Sequence, residues 1–487
     1  MAAAGPRARK NSGKLKLYYQ NTDWIIDIQS SSNIQPGKAV NLGAAKPAPA
    51  PWHPFLVFLV LLALPVIIFW RPGFFYIIDD WTALIQMAER PFGQYLLTPD
   101  GEQWFPFFHL LYYGLVKIAG EQYSILVLIN CLGTGVNAFL LYSFCRRHWE
   151  PGLALTLSLL YAISAAHHAI AWNAFYFGYL LSLGFFLGAL LITDRYLHAP
   201  SGGKLWGLGV CAALSILSHN YPLLGLMALP LYILIMGEKV SWRAFWAVTG
   251  VVGLVCVLFA AGYFRFAGLN AAASRNFQVF SGLPGPAYLL HLLCGALVSP
   301  FLYLFWGHYH FPIPAYIAGV GLLIACLGAI WFWGERADKR LALWALLVNF
   351  LPFFLVSLTR YQRSVSQAFV ARYDIFTLIG ALLLVGTAWR LLAARMPSRR
   401  WAQVLAGVIL AVMVGGQLGS LPIWSAQYLE MSRLARKCYV ELNRGTPVAQ
   451  PLTAEEYGKF CPDAHPSITP GQARAIRRLL GGVPENS

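Results

Sequence analysis

The 487-residue chain is 58% hydrophobic and only 11% charged, whereas soluble domains carry about 25% charged residues, so an ordinary soluble domain is excluded. Its 36 Lys/Arg against 20 Asp/Glu give a formal charge of +16. The basic residues fall in short segments between apolar runs, where they act as orientation signals in a membrane rather than as nucleic-acid contacts. The composition predicts an all-α polytopic membrane protein, with 17 Trp, 24 Tyr and 31 Phe to meet two interfaces.

In chain order, residues 1–53 are polar, basic and rich in Pro, Ala and Ser. They read as a largely disordered cytoplasmic tail with one short interfacial helix over 17–28. The first apolar run starts near Pro54, too late for a cleavable signal. Runs long enough for a hydrocarbon layer of ~30 Å occur at about 54–71, 122–144, 151–172, 174–193, 204–218, 221–237, 243–266, 312–333, 341–358, 374–390 and 401–420, about eleven spans. The connectors Arg146-Arg147, Arg195 to Lys204, Lys239 to Arg243, Arg336 to Arg340 and Arg390 to Arg400 are the strongly basic ones and are expected to be cytoplasmic. That holds only if the apolar stretches 104–119 and 285–306 lie on the external interface or re-enter the bilayer. The expected organisation is a transmembrane domain over 54–420, with an external loop 72–121 and an external C-terminal segment over 421–487. That segment reads as two helices, 424–442 and 469–480. Its Cys438 and Cys461 would pair in an oxidising compartment or stay as two thiols.

Asp79-Asp80 follows the first span directly. Adjacent carboxylates at a membrane-depth mouth repel each other, which raises one pKa and suits a proton acceptor; alternatively, one of them caps the helix that follows. They are also candidate ligands for a divalent cation, Mg2+ or Mn2+. Arg372-Tyr373 opens a late span on the same side, and Arg360, Arg363 and Arg372 break the positive-inside trend there. A phosphate held by Arg372, Tyr373 and Arg363 would explain the breach. His109, His168 and His219, with His167, His308 and His310, also fall externally and suggest a polar acceptor cavity. No Walker A pattern, GxGxxG after a strand or CxxC occurs, which disfavours nucleotide-driven transport, a Rossmann cofactor and a zinc site.

An acidic pair after span one, then the aromatic stretch Trp104-Phe105-Pro106-Phe107-Phe108-His109, resembles the GT-C glycosyltransferases, in particular the protein O-mannosyltransferase and aminoarabinose transferase group. The segment from Ala165 through His167-His168 to Trp172-Asn173 is similar to one ending the third span in O-mannosyltransferases, and Ala371-Arg372-Tyr373 to an Arg-Tyr opening a late span. The resemblance spans about 54–400. It implies a polyprenyl-phosphate sugar donor, an acid of the Asp79-Asp80 pair as base, Arg372 on the donor phosphate, and inversion at the sugar. It places the protein in the inner membrane with an external site; the acceptor would be an envelope glycan, a lipid or a protein. The chain departs from that pattern at Asn173 to Tyr179, where relatives often show Arg and Asp, and at His219-Asn220, where they often show Lys-Glu. A flippase for a lipid-linked saccharide is the alternative; it would need polar residues through the whole membrane thickness.

Overall fold

A computed structural model describes residues 16–20, 23–27, 54–77, 79–99, 103–237, 241–273, 285–307, 310–360, 368–443 and 470–481. Two compact units divide at residues 51 and 52. In the first, β1 (Lys16–Gln20) and β2 (Asp23–Asp27) pair antiparallel, with Tyr18 opposite Ile25 and Tyr19 opposite Trp24. This corrects the helix expected over 17–28: aromatic and β-branched residues favour strands, and pieces this short nucleate helix poorly. The remainder of the tail expected to be disordered lies outside the described residues.

The second unit is helical. Its elements are α1 (Pro54–Phe69), α2 (Asp79–Glu89), α3 (Phe92–Leu97), α4 (Pro106–Ala119), α5 (Tyr123–Cys145), α6 (Pro151–Ile163), α7 (His168–Trp172), α8 (Phe177–His198), α9 (Gly202–Ser218), α10 (Ala228–Met236), α11 (Trp242–Ala273), α12 (Pro286–Leu293), α13 (Ser299–Leu302), α14 (Ile313–Trp333), α15 (Arg336–Arg360), α16 (Ala371–Ala393), α17 (Arg399–Asn443) and α18 (Pro470–Leu479). Among the described residues eight helices are long and apolar enough to cross a membrane, and four shorter apolar ones include Pro54–Phe69 and Pro286–Leu302. The stretch about 104–119 is the helix α4, which packs on α3, α5, α8 and α9.

Small residues allow the close crossings. At Gly135 of α5 an added Cβ would sit 2.7 Å from the Leu61 carbonyl oxygen of α1, the approach that glycine makes possible in apolar surroundings where packing drives association. Near one end of the bundle, Arg147 pairs with Asp194, which also accepts a 2.6 Å bond from the Tyr232 hydroxyl. Arg390 pairs with Asp338, and the Arg340 guanidinium donates to the Gly237 carbonyl there. The acids next to these basic connectors are thus neutralised locally.

The boundary expected between 420 and 421 falls inside a continuous helix. The last apolar run and the expected helix 424–442 are one helix of 45 residues, about 68 Å at 1.5 Å per residue, far longer than the hydrocarbon layer. Pro422 lies inside it without ending it. Leu421, Trp424, Tyr428, Ala435 and Cys438 continue one buried face, so packing carries the helix onward past the apolar run. Cys438 is disulfide-bonded, and Cys461 lies outside the described residues. The second expected tail helix is α18, which packs on α2 and α17.

Candidate active site

The span beginning at Pro151 breaks at Ser164. A 3-10 turn over Ala165–His167 and the short α7 follow, then a second 3-10 turn over Ala174–Tyr176. Broken backbone at membrane depth needs internal partners, and side chains of α5 and α17 supply them, while the span's own Trp172 ties it to the end of α1. The Asn130 amide donates to the Ile170 and Asn173 carbonyls at 2.6 and 3.1 Å, and the Trp172 indole to the Phe69 carbonyl at 2.6 Å. Gln417 of α17 accepts from the Ala165 N–H and donates to the Tyr303 carbonyl. Asn173 starts the second turn by accepting the Phe175 N–H at 3.1 Å, a capping role that Asn fills well. The outcome is to aim Phe175 and Tyr176 at the start of α2.

Asp79 and Asp80 open α2, where the helix dipole favours negative charge, yet they face different surroundings. Asp80 is fully buried. Its Oδ1 accepts from the Tyr112 hydroxyl and the Phe175 N–H, both at 2.8 Å; its Oδ2 accepts from the Tyr123 hydroxyl at 2.6 Å and the Ile77 N–H at 3.2 Å. The last bond, with the Asp80 N–H donating to the Ile77 carbonyl at 2.9 Å, closes a reciprocal helix start of capping-box type. Four donors occupy its four lone-pair directions. Burial nevertheless pushes its carboxyl up to about 6, against the lowering effect of those bonds. Of the pair expected to supply the base or a helix cap, Asp80 fastens α2 to α4, α5 and the broken span, with all four lone-pair directions occupied.

Asp79 is half-buried. Its Oδ2 accepts from the Tyr176 hydroxyl at 2.6 Å, and that hydroxyl accepts from Arg372 Nη1, also at 2.6 Å. The Arg372 guanidinium carbon lies 5.2 Å from the centres of both the Tyr176 and the Tyr373 rings, within cation–π range. The Tyr221 hydroxyl donates to the Tyr373 carbonyl at 2.8 Å, which fixes the first turn of α16. The neighbouring Asp374 turns away and accepts from Ser299 Oγ at 2.9 Å and Thr377 Oγ1 at 3.2 Å. The late arginine and the early acid are thus joined through one tyrosine.

The histidines divide. His219 is buried, with its ring 3.8 Å from that of Tyr179 and stacked 5.8 Å from Phe105. Burial and the Arg372 charge push it down to about 3, so it stays neutral. Its Nδ1 accepts the Tyr221 N–H at 3.0 Å, which leaves the ring proton on Nε2. His109 is buried against Tyr95 at 4.7 Å and is held down to about 4, chiefly by burial. His168 stacks on Trp424 at 3.9 Å and bonds the Ala165 carbonyl. His109 and His168, both expected at an acceptor cavity, are packed among aromatic rings. Arg363 lies outside the described residues. A cavity of about 960 Å³ between α6, α14, α16 and α17, lined by Leu157, Cys326, Trp333, Trp389 and Met413, lies toward the basic end and shares no residue with this site.

Tyr112, Tyr123 and Tyr176 hold the arrangement together and were not among the expected site residues. Tyr112 carried a legible signal: it belongs to the buried stripe Phe108, His109, Tyr112, Val116 of α4, and a phenol in such a stripe needs a partner. Tyr123 and Tyr176 become meaningful only once the broken span is in place. Of the two carboxylates expected to be able to hold a divalent cation, Asp80 has its four lone-pair directions occupied, which leaves Asp79 as the one that could hold it, and among the described residues no group of three His, Cys, Asp or Glu converges.

No family model matches the sequence, and no curated protein matches it. Among solved structures the chain is similar to ArnT from Cupriavidus metallidurans. In the apo state the TM-score is 0.50 at 13% identity, over 84% of each chain. In the form bound to undecaprenyl phosphate it is 0.51 at 14% identity, again over 84% of each. This likeness gives the chain the GT-C membrane fold.

Proposed function

We propose that this protein is a membrane glycosyltransferase that moves a sugar from a polyprenyl-phosphate donor onto an acceptor hydroxyl, with inversion. The observation that carries the reading is the string Asp79–Tyr176–Arg372, which puts a carboxylate and a half-buried guanidinium two 2.6 Å hydrogen bonds apart on a GT-C fold. The neighbouring ArnT structure that holds undecaprenyl phosphate supports the donor class.

Arg372 gives N–H groups to the Tyr176 hydroxyl and to the Tyr373 side chain, and of its five it keeps others for a donor phosphate. Asp79 Oδ1, which has no hydrogen bond among the described residues, takes the proton of the acceptor hydroxyl. The freed oxygen forms a bond to the anomeric carbon from the face opposite the phosphate, and the carbon–oxygen bond to phosphate breaks. Polyprenyl phosphate leaves with the electron pair, and the proton on Asp79 passes to water. A phosphate leaving group needs a fixed cation more than a proton, which suits an arginine held between two rings. We assign the site to the external face of the inner membrane, a reading supported by the basic connectors at the other end of the bundle. The acceptor class is an envelope glycan, a lipid or a protein.

The test is to incubate the purified chain in proteoliposomes with labelled polyprenyl-phosphate sugars and an envelope extract. Release of polyprenyl phosphate with transfer of label is expected, and Asp79→Asn and Arg372→Ala should each lower the rate by about 100-fold or more. Wild-type transfer by both variants would overturn the reading. Translocation of intact donor without release would point to a flippase instead.

A further inference from the structure

We propose that Tyr176 is the positioning residue of this site: its hydroxyl ties the carboxylate of Asp79 to the guanidinium of Arg372 and so sets where a proton acceptor stands relative to a bound phosphate. The inference rests on the function proposed above and adds a residue to it.

Arginine can only donate hydrogen bonds, and an ionised carboxylate can only accept. A group between them must accept from one and donate to the other through a single atom. A phenol does both, and the distances on its two sides are equal at 2.6 Å. Because Arg372 takes the oxygen lone pair, the Tyr176 proton is committed to Asp79 Oδ2. That anchors one carboxylate oxygen and leaves the other, Oδ1, without a hydrogen bond among the described residues. A direct Asp–Arg ion pair would consume the same carboxylate and the N–H groups a phosphate requires. The tyrosine keeps both partners apart yet in register.

The position of Tyr176 is itself built. The Asn173 side chain accepts the Phe175 N–H, the Asn173 carbonyl accepts the Tyr176 N–H at 3.1 Å, and the Ala174 N–H donates to the Tyr123 hydroxyl at 2.8 Å. The neighbouring Phe175 N–H also donates to Asp80. The buried acid therefore holds the turn that presents Tyr176, while the half-buried acid receives its hydroxyl. The sequence Asp-Asp thus carries two duties that meet on consecutive residues of one 3-10 turn.

The ring and the hydroxyl are separable. Tyr176→Phe keeps a ring under the Arg372 guanidinium but removes the tie to Asp79. We expect kcat to fall about 10- to 100-fold, as for a reacting group released by about an ångström. The donor KM and the affinity for undecaprenyl phosphate alone should stay within about threefold, because Arg372 remains in place. Tyr176→Leu, which also removes the ring, should weaken undecaprenyl phosphate binding as well. The inference is overturned if Tyr176→Phe transfers at the wild-type rate while Asp79→Asn and Arg372→Ala do not, since the function would then stand without this residue. It is equally overturned if the whole loss in Tyr176→Phe is a rise in donor KM. Failure of wild-type transfer, or normal transfer by Asp79→Asn and Arg372→Ala, removes the reading and this inference together.

Discussion

Two adjacent aspartates, identical in chemistry, end in opposite circumstances because consecutive helical positions point about 100° apart. Asp80 points into the packed junction of α2, α4 and α5 and gathers four donors; Asp79 points toward Arg372. Replacing Asp80 by Asn leaves one acceptor oxygen for four donors and adds an NH2 facing donors. We expect a loss of about 1–3 kcal/mol of stability, read as a lower Tm in detergent. Asp80 also predicts a pH dependence. Its folded carboxyl is raised from 3.8 to about 6, so between those values the folded chain holds a proton that the unfolded chain has released. Its contribution is therefore full below about pH 4 and is lost as the pH rises through about 6, up to about 3 kcal/mol. In Asp80→Asn the slope of Tm across that window should flatten, and an unchanged slope would show that another group titrates there.

At the scale of elements, α17 is a spine that repairs breaks in its neighbours. Gln417 bonds both the Ala165 N–H and the Tyr303 carbonyl, Ser420 accepts from the Gly307 N–H at 3.2 Å, and the Trp424 indole donates to the Gly307 carbonyl at 2.7 Å. Gln417→Leu leaves two buried backbone groups unpaired, which should cost about 2 kcal/mol or more; thermal unfolding measures it, and loss of transfer should accompany it because the broken span carries Tyr176. The short α18 acts on the site through α2. Gln472 donates to Glu89 at 2.7 Å, and Lys117 of α4 donates to the Leu479 carbonyl at 3.2 Å. Removing 470–487 should raise deuterium exchange in 79–89 and lower transfer, without changing exchange in α8 or α9.

Within the helical unit, charged side chains gather at the two ends of the bundle. The ion pairs Arg147–Asp194 and Arg390–Asp338 mark one end, and the Asp79–Tyr176–Arg372 string marks the other. Cysteine introduced at Ser201, in the connector between α8 and α9, should react with a membrane-impermeant thiol reagent only from the cytoplasmic side. Cysteine at Thr98, between α3 and α4, should react only from outside. The reverse pattern would invert the proposed orientation.

What the sequence by itself determined was the solvent of the fold and its coarse plan. Apolar runs long enough to span a bilayer, basic connectors between them, and motifs around Asp79-Asp80, His167-His168 and Arg372-Tyr373 were legible because they depend on composition and local spacing. The continuity of α17 past residue 420 was not, because an apolar run ends where lipid ends, whereas a helix ends where its packing does. Neither was the division of labour within the acidic pair, nor the place of Tyr176. Those depend on which side chains from distant helices reach the same few ångströms, and the buried hydrogen bonds that settle them exist only after the spans have packed.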